Sequence, residues 1–439
     1  MSSPKERIEK LGIEHVPDGA RHGSPGRVFT LWFAANLTIA DYVIGVLATT
    51  VFGFNVWNAL PVLLVGNLLG GLFLGAAAAM GPSLGFPQML SSRASFGRFG
   101  NYLPGALNWI STVGWFTVNT ILGAEAVEVL FPGSNYAAVA VLLCVVQLLV
   151  AVYGHDFIHL FEKVMSVVLG LLFLLVFAVA VPLLGAPAQP QSPALPVTLG
   201  AVGTLLAVSF SYLMSWAPYA SDYSRYLAPE TSKARVLLFA LAGGASASFA
   251  MEVIGAAVGQ ITASTNYFSA LSGIAGAYGP LAMLAVVLGA VAANALNLYT
   301  NSLSALVLDL KARRWVTVMA GGVAGLVLAL LVNATFERFF EDFLLALTYW
   351  ITPWLGVVLV DFLLGRTTVT GSEHPKPFDG RGFIAYGAAV LVSVPFMVPP
   401  TTIGYPVGSL AGIFGGADFS YFISFVVAAV LTYTLRRMK

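Results

Sequence analysis

Residues 31–45, Leu-Trp-Phe-Ala-Ala-Asn-Leu-Thr-Ile-Ala-Asp-Tyr-Val-Ile-Gly, decide how the chain is read. They lie in an apolar run from Val28 to Val51, longer than the about 20 residues an α-helix needs to cross a bilayer. Yet the middle of that run holds Asn36, Thr38 and Asp41. A carboxylate at the bilayer midplane costs roughly 3 kcal/mol or more, so it faces a cavity, a partner or a transported species. The plainer use of such groups is a helix–helix hydrogen bond. The rest of the chain favours a binding or coupling site on this first span.

Only 9% of the 439 residues are charged and 58% are hydrophobic, whereas soluble domains carry about 25% charged residues. The chain is therefore read as an integral membrane protein whose surroundings are the lipid bilayer. A net charge of +1 offers no attraction to a nucleic acid. The one cysteine, Cys144, can form no internal disulfide. No nucleophile elbow, zinc-protease or P-loop pattern occurs, so neither an enzyme nor a nucleotide-driven pump is expected. His155 and His159 have the spacing of a metal-ligand pair but lack a clear third ligand, so no metal site is expected, and no cofactor beyond a coupling cation.

Hydropathy predicts spans near 29–51, 57–80, 103–131, 136–153, 164–184, 200–221, 236–260, 281–310, 316–333, 340–364, 382–399 and 409–434. The expected fold is an all-α polytopic membrane protein of twelve transmembrane helices. Residues 1–27 form a polar tail without the apolar core of a signal peptide. Residues 366–381 form a polar loop between residues 28–365 and a two-span appendix over 382–439. With the tail inside, 20 of the 21 Lys and Arg residues fall in cytoplasmic segments, and only Arg338 falls outside. The positive-inside rule then puts both termini in the cytoplasm of a cell-membrane protein. The connection 185–199 is rich in proline and is not expected to be helical throughout.

Polar interruptions recur at matching places. The same number of residues separates Ala40 in span 1 from Pro218 in span 6 and Asn119 in span 3 from Asn297 in span 8. This suggests inverted repeats over about 28–184 and 200–365, with broken first helices and a site at the midplane. Pro218 should interrupt span 6 between about Ser211 and Pro218, turning Ser211 and Ser215 toward the substrate. Asp222 and Arg225 at the end of that span are expected to pair. Trp115 and Asn119 share one face of span 3, and Asn294, Asn297 and Asn301 form an amide stripe on span 8. A stacking indole with amides suits a flat, polar heterocycle. Glu125, Glu128 and Glu252 are placed in the outer third, within reach of water.

Gly81-Pro-Ser-Leu-Gly-Phe-Pro-Gln-Met-Leu-Ser-Ser-Arg-Ala-Ser-Phe-Gly97, Ser221-Asp-Tyr-Ser-Arg-Tyr226, Thr352-Pro-Trp-Leu-Gly-Val357 and Gly415-Gly-Ala-Asp-Phe-Ser420 resemble the nucleobase–cation symporter family of cytosine, purine, allantoin and hydantoin permeases. The resemblance covers nearly everything past residue 27 and leans to the cytosine–purine branch. It implies a leucine-transporter-type fold, a 5+5 inverted repeat plus two, with alternating access. It also implies stacking on Trp115 and edge recognition by Asn119 and Asn297, with Asn294 nearby. On span 6 the stacking position falls at Leu213, between Tyr212 and close to Trp216, which leaves the second wall open.

The implied activity is symport of a nucleobase or related heterocycle with a cation. Sodium-coupled relatives use span 1 carbonyls and span 8 hydroxyls, but the tract Gly289–Ala293 lacks a hydroxyl. Asp41, with Thr38 and Asn36, is therefore expected to couple protons, because burial favours the neutral carboxyl. Sodium, an amine substrate with Asp41 as counter-ion, a gated channel and a membrane receptor remain the alternatives.

Overall fold

The computed structural model describes residues 12–153, 155–185, 197–262, 267–368, 374–398 and 408–438. Most of the Pro-rich connection, and the side chains of His155 and His159, lie outside the described residues. No strand occurs among those described. Eight helices are long and apolar enough to cross a membrane, or nine if the bent pair Gly26–Ala35 and Ile39–Thr50 is one span. That pair is span 1. Span 2 is Val56–Ala78, span 3 Tyr102–Leu130, span 4 Tyr136–Tyr153 and span 5 His155–Ala180. Span 6 begins as Leu199–Met214, and span 7 is Lys233–Ile261. Gly279–Val307, Arg314–Val332 and Phe336–Leu363 are spans 8 to 10. Gly380–Ser393 and Ser420–Arg437 stand at the expected spans 11 and 12. The set is consistent with twelve. Span 12 starts later than 409 because Gly415 and Gly416, at φ 66° and 85°, turn the chain first.

The two interruptions have local causes. The helix of span 1 ends at Ala35 and bends by 57° before resuming at Ile39. The Asn36 amide donates back to Trp32 O at 2.7 Å, and Thr38 is extended at φ −123°, ψ 156°. A short polar side chain thus competes with the helix for backbone partners. In span 6 the helix runs through Met214, and a 3-10 turn Ala217–Tyr219 joins it to Ala220–Ser224. The break is therefore 215–219, later than the expected 211–218. Pro218 removes a donor, but Ser215 N still reaches Ser211 O at 2.9 Å, so the turn before it survives.

Span 3 packs along span 8, while spans 1, 2, 6 and 7 pack on one another. Two glycines permit backbone-close contacts. A Cβ on Gly289 would lie 2.7 Å from Leu37 O, which seats span 8 against the break in span 1. A Cβ on Gly45 would lie 2.0 Å from Glu252 O, which fixes span 1 on span 7. The outer faces of spans 4 and 5 expose Leu142, Leu149, Leu171 and Leu174, a surface suited to hydrocarbon rather than water.

Both terminal regions gather at one end of the bundle. Val16 N bonds Gly85 O at 3.0 Å, and Arg225 Nη1 donates to Gly12 O at 3.1 Å. Asp309, just past span 8, accepts from Arg93 at 3.0 Å, Arg98 at 2.8 Å and the Tyr102 hydroxyl. Burial pushes its carboxyl up, but the Arg98 and Tyr102 hydrogen bonds and Arg93 outweigh it and hold the group down at about 2. Arg436 of span 12 grips Asp361 at 2.8 Å and Asp379 at 2.7 Å. At the opposite end a cavity of about 890 Å³ is lined by Glu125, Glu128, Tyr267, Phe336 and Arg338.

Gly45→Ala should destabilise the protein by about 1–3 kcal/mol through overpacking. An unchanged thermal-unfolding midpoint in detergent would contradict the backbone contact.

Candidate functional site

The two breaks are tied together by side chains. Trp216 Nε1 donates to Asn36 Oδ1 at 3.0 Å, and the Thr38 and Tyr212 hydroxyls meet at 2.7 Å. All four residues are buried. Thr38 and Asn36, expected near an ion, thus bond directly to Tyr212 and Trp216, expected near a substrate.

Tyr212 presents its ring to Trp115 on span 3, edge to face at 5.2 Å. Phe343 of span 10 meets the same indole at 5.2 Å, and Phe340 meets it at 6.3 Å. Phe340 stacks on Phe336, which lines the cavity described above, so an aromatic column joins that cavity to Trp115. Trp216 turns to span 1, with its ring 5.3 Å from Trp32. Leu213 faces elsewhere and packs against Gly70 and Gly71 of span 2 and Gly244 of span 7. The helical register therefore gives the aromatic contact with Trp115 to Tyr212. Ser211 donates to Leu344 O at 2.6 Å on span 10, and Ser215 donates to Tyr212 O at 2.6 Å. Both hydroxyls support the backbone.

The amides of spans 3 and 8 divide their work. Asn294 Nδ2 lies within 3.0 Å of Phe116 O, 3.3 Å of Thr120 Oγ1 and 3.2 Å of Gln147 Oε1. Its Oδ1 accepts from Asn119 at 3.3 Å and Asn297 at 3.1 Å. Asn294 is thus occupied on both ends and orients its neighbours. Tyr219, in the span 6 break, donates to Asn297 Oδ1 at 3.3 Å. The buried Trp115 Nε1 and Asn119 Oδ1 have no partner. One donor and one acceptor therefore sit a helical turn apart on one face of span 3, beside aromatic rings. Asn301 lies deeper, bonded to Thr112 at 2.9 Å and Trp109 O at 3.1 Å.

Asp41 is fully buried, and Ser248 of span 7 donates to its Oδ1. Glu252, expected within reach of water, is also fully buried, because its carboxylate turns inward to Asn67 of span 2 and Ser209 of span 6. Asp222 accepts from Gln88 N at 2.8 Å and Thr300 at 2.6 Å, and Arg225 donates to the Tyr226 and Tyr299 hydroxyls at 3.0 and 3.2 Å. Among the described residues no group of three or more His, Cys, Asp or Glu could hold a metal ion. Sequence reading missed Gln147, Tyr219 and Ser248. Tyr219 carried a signal, since it follows Pro218.

Helices broken in spans 1 and 6, with polar and aromatic groups converging where they break, fit a membrane transporter of small molecules. The chain belongs to the family of permeases for cytosine/purines, uracil, thiamine and allantoin, whose sequence profile matches residues 15–429. A putative purine-cytosine permease YxlA of Bacillus subtilis (strain 168) is 32% identical, with 99% of this chain and 97% of the relative aligned. The purine-cytosine permease fcyB of Emericella nidulans is 25% identical over 98% of this chain and 88% of its own. The fold is similar to that of Mhp1, a nucleobase-cation-symport-1 family transporter solved closed with bromovinylhydantoin bound. The TM-score is 0.79 at 18% identity, over 99% of this chain and 95% of that one. The inward-facing conformation of Mhp1 scores 0.75 at 17% identity, over 99% and 94%. The chain is a multi-pass permease and not an enzyme.

Asn294→Leu should cost about 1–3 kcal/mol for each buried partner it strands, lowering the thermal midpoint in detergent. A midpoint equal to that of the wild-type protein would deny Asn294 its orienting role.

Proposed function

We propose that the chain is a symporter that carries an uncharged nucleobase of the cytosine or purine type across the cell membrane with a proton, with both termini cytoplasmic. One observation carries the substrate reading: the unpartnered indole N–H of Trp115 and amide oxygen of Asn119, buried together beside Tyr212. A heterocycle edge offering an acceptor and a donor would satisfy both, and leaving either unmet costs about 1–3 kcal/mol. Asn297, held by Asn294 and Tyr219, would read the next edge position. Spans 3 and 8 carry no Lys or Arg over 102–130 and 279–307, which disfavours an anion. The purine-cytosine relatives point the same way. The 890 Å³ cavity would be the outer vestibule.

For coupling, the span 8 residue against the span 1 break is Gly289, which has no oxygen to offer from a side chain. The hydroxyls of span 8 are used elsewhere, Thr300 on Asp222 and Ser302 on Tyr299 O at 2.6 Å. A hard cation needs several oxygens, whereas a buried carboxyl such as Asp41 can carry a proton alone.

Counterflow in proteoliposomes with cytosine, adenine, hypoxanthine, uracil and allantoin as competitors tests the substrate. Trp115→Ala should weaken exchange by about 5- to 150-fold, since losing a base-stacking ring costs about 1–3 kcal/mol in other aromatic–base systems. Asn297→Ala should change which bases compete. If both variants keep the wild-type competitor set, the site lies elsewhere.

An imposed pH gradient should drive uptake in the wild-type protein, and Asp41→Asn should lose that drive. Uptake driven by sodium alone, or a pH response fully retained in Asp41→Asn, would replace the proton reading.

A further inference from the structure

Span 7 carries a second buried acid that faces the same region as Asp41. Spans 1 and 7 touch along one ladder: Ser248 donates to Asp41 Oδ1, and one turn on, Glu252 O lies against Gly45. Residues four apart share a helix face, so Asp41 and Gly45 oppose Ser248 and Glu252. The Glu252 carboxylate reaches across to spans 2 and 6, where Asn67 Nδ2 and Ser209 Oγ, at 3.2 Å, donate to its Oε2. The charge of Asp41 acts on Glu252. Both acids have no exposed surface, and Asp41 Oδ2, Glu252 Oε1 and Asn67 Oδ1 are all without hydrogen-bond partners.

The charge around the pair is one-sided. The other titratable group acting on Asp41 is the Tyr212 hydroxyl of span 6. Spans 1, 2 and 6 carry no Lys, Arg or His over 28–50, 56–78 and 199–224. In span 7 the basic residues are Lys233 and Arg235, which lie about three and a half turns or more before Ser248. Ser248 and the Tyr212 hydroxyl act on Asp41, and Ser209 and Asn67 on Glu252, with no cation among them. Two carboxylates in one dry site cannot both stay ionised.

We infer that Asp41 and Glu252 form a single two-carboxyl centre that binds the coupling cation, with Glu252, Asn67 and Ser209 as its second half. One carboxyl keeps a proton throughout the cycle, and the other takes up the transported proton from one side and releases it to the other. The empty centre carries one negative charge, and the loaded centre is neutral. This rests on the proton reading above for the identity of the cation, but not for the membership of Glu252.

The test compares full-length Glu252→Gln and Glu252→Asp with the wild-type protein in proteoliposomes, using radiolabelled cytosine and adenine. Accumulation under an imposed pH gradient, normalised to counterflow by the same vesicles, should fall about tenfold or more in Glu252→Gln, the size of a typical coupling energy. Glu252→Asp should regain most of it, and the rise of uptake with falling external pH should disappear in Glu252→Gln. Wild-type accumulation in Glu252→Gln overturns the inference by making Asp41 sufficient. Loss of counterflow itself in both monodisperse variants also overturns it, because Glu252 is then a packing residue. Infrared difference spectra across pH should show a titrating protonated-carboxyl band in the wild-type protein that is lost in Asp41→Asn or Glu252→Gln and shifted in the other; a band unchanged in both variants overturns the pair. A wild-type protein that ignores pH and answers to sodium overturns the proton reading instead. Glu252→Gln under a sodium gradient then decides whether Glu252 belongs to the centre.

Discussion

A main chain that leaves its helix inside a membrane must find partners for the amides and carbonyls it frees, because the surrounding hydrocarbon offers none. The centre of this protein is organised around that requirement. Asn36 turns its own amide back on Trp32 O and receives the Trp216 indole, so one side chain both ends a helix and braces the opposite break. Thr38 and Tyr212 repeat the arrangement one step further along. Gly289 lets span 8 lie against Leu37 O with no side chain between. The break in span 1 is therefore enclosed by spans 6 and 8, and what projects into the enclosure is decided by which polar groups remain unspent.

That division separates residues of the same type. Asn294 and Asn119 differ little as sequence, yet Asn294 meets five partners and Asn119 keeps its carbonyl oxygen free. An amide that is fully bonded adds rigidity and little recognition. One left half-bonded, and held in place by a rigid neighbour, can discriminate, since unmet polar groups in a dry site are costly.

Much of this was legible in the chain. A carboxyl and two other polar side chains inside one apolar run could not be ordinary lipid-facing surface, and Pro218 marked the matching interruption. The placement of Lys and Arg predicted one basic end, and the contacts of Gly12, Arg225, Asp309 and Arg436 gather at one end of the bundle. What was not legible depended on rotation about helix axes. Leu213 and Tyr212 are adjacent in sequence but point to different neighbours, and only packing against Gly70, Gly71 and Gly244 decides which is which. Glu252 looked peripheral by depth alone, because depth says nothing about which face a side chain occupies. Gln147 and Ser248 sit among apolar or small residues with no pattern to single them out, and each gains meaning from a partner more than a hundred residues away.

Trp115, Asn119 and Asn297 ride on spans 3 and 8, whereas Tyr212 and Tyr219 ride on span 6, which packs with spans 1, 2 and 7. The two groups of spans meet here directly, Tyr212 on Trp115 and Tyr219 on Asn297. If the proposed substrate binds at Trp115 and Asn119, it would act as a rivet between those groups. A guest too large would prop them apart, and one too small would leave the Asn119 oxygen dry when they meet. Size and edge pattern would then be gauged in a closing movement more than in first capture. Fidelity would be a property of the stroke, and a misfit could enter freely and still fail to be carried through.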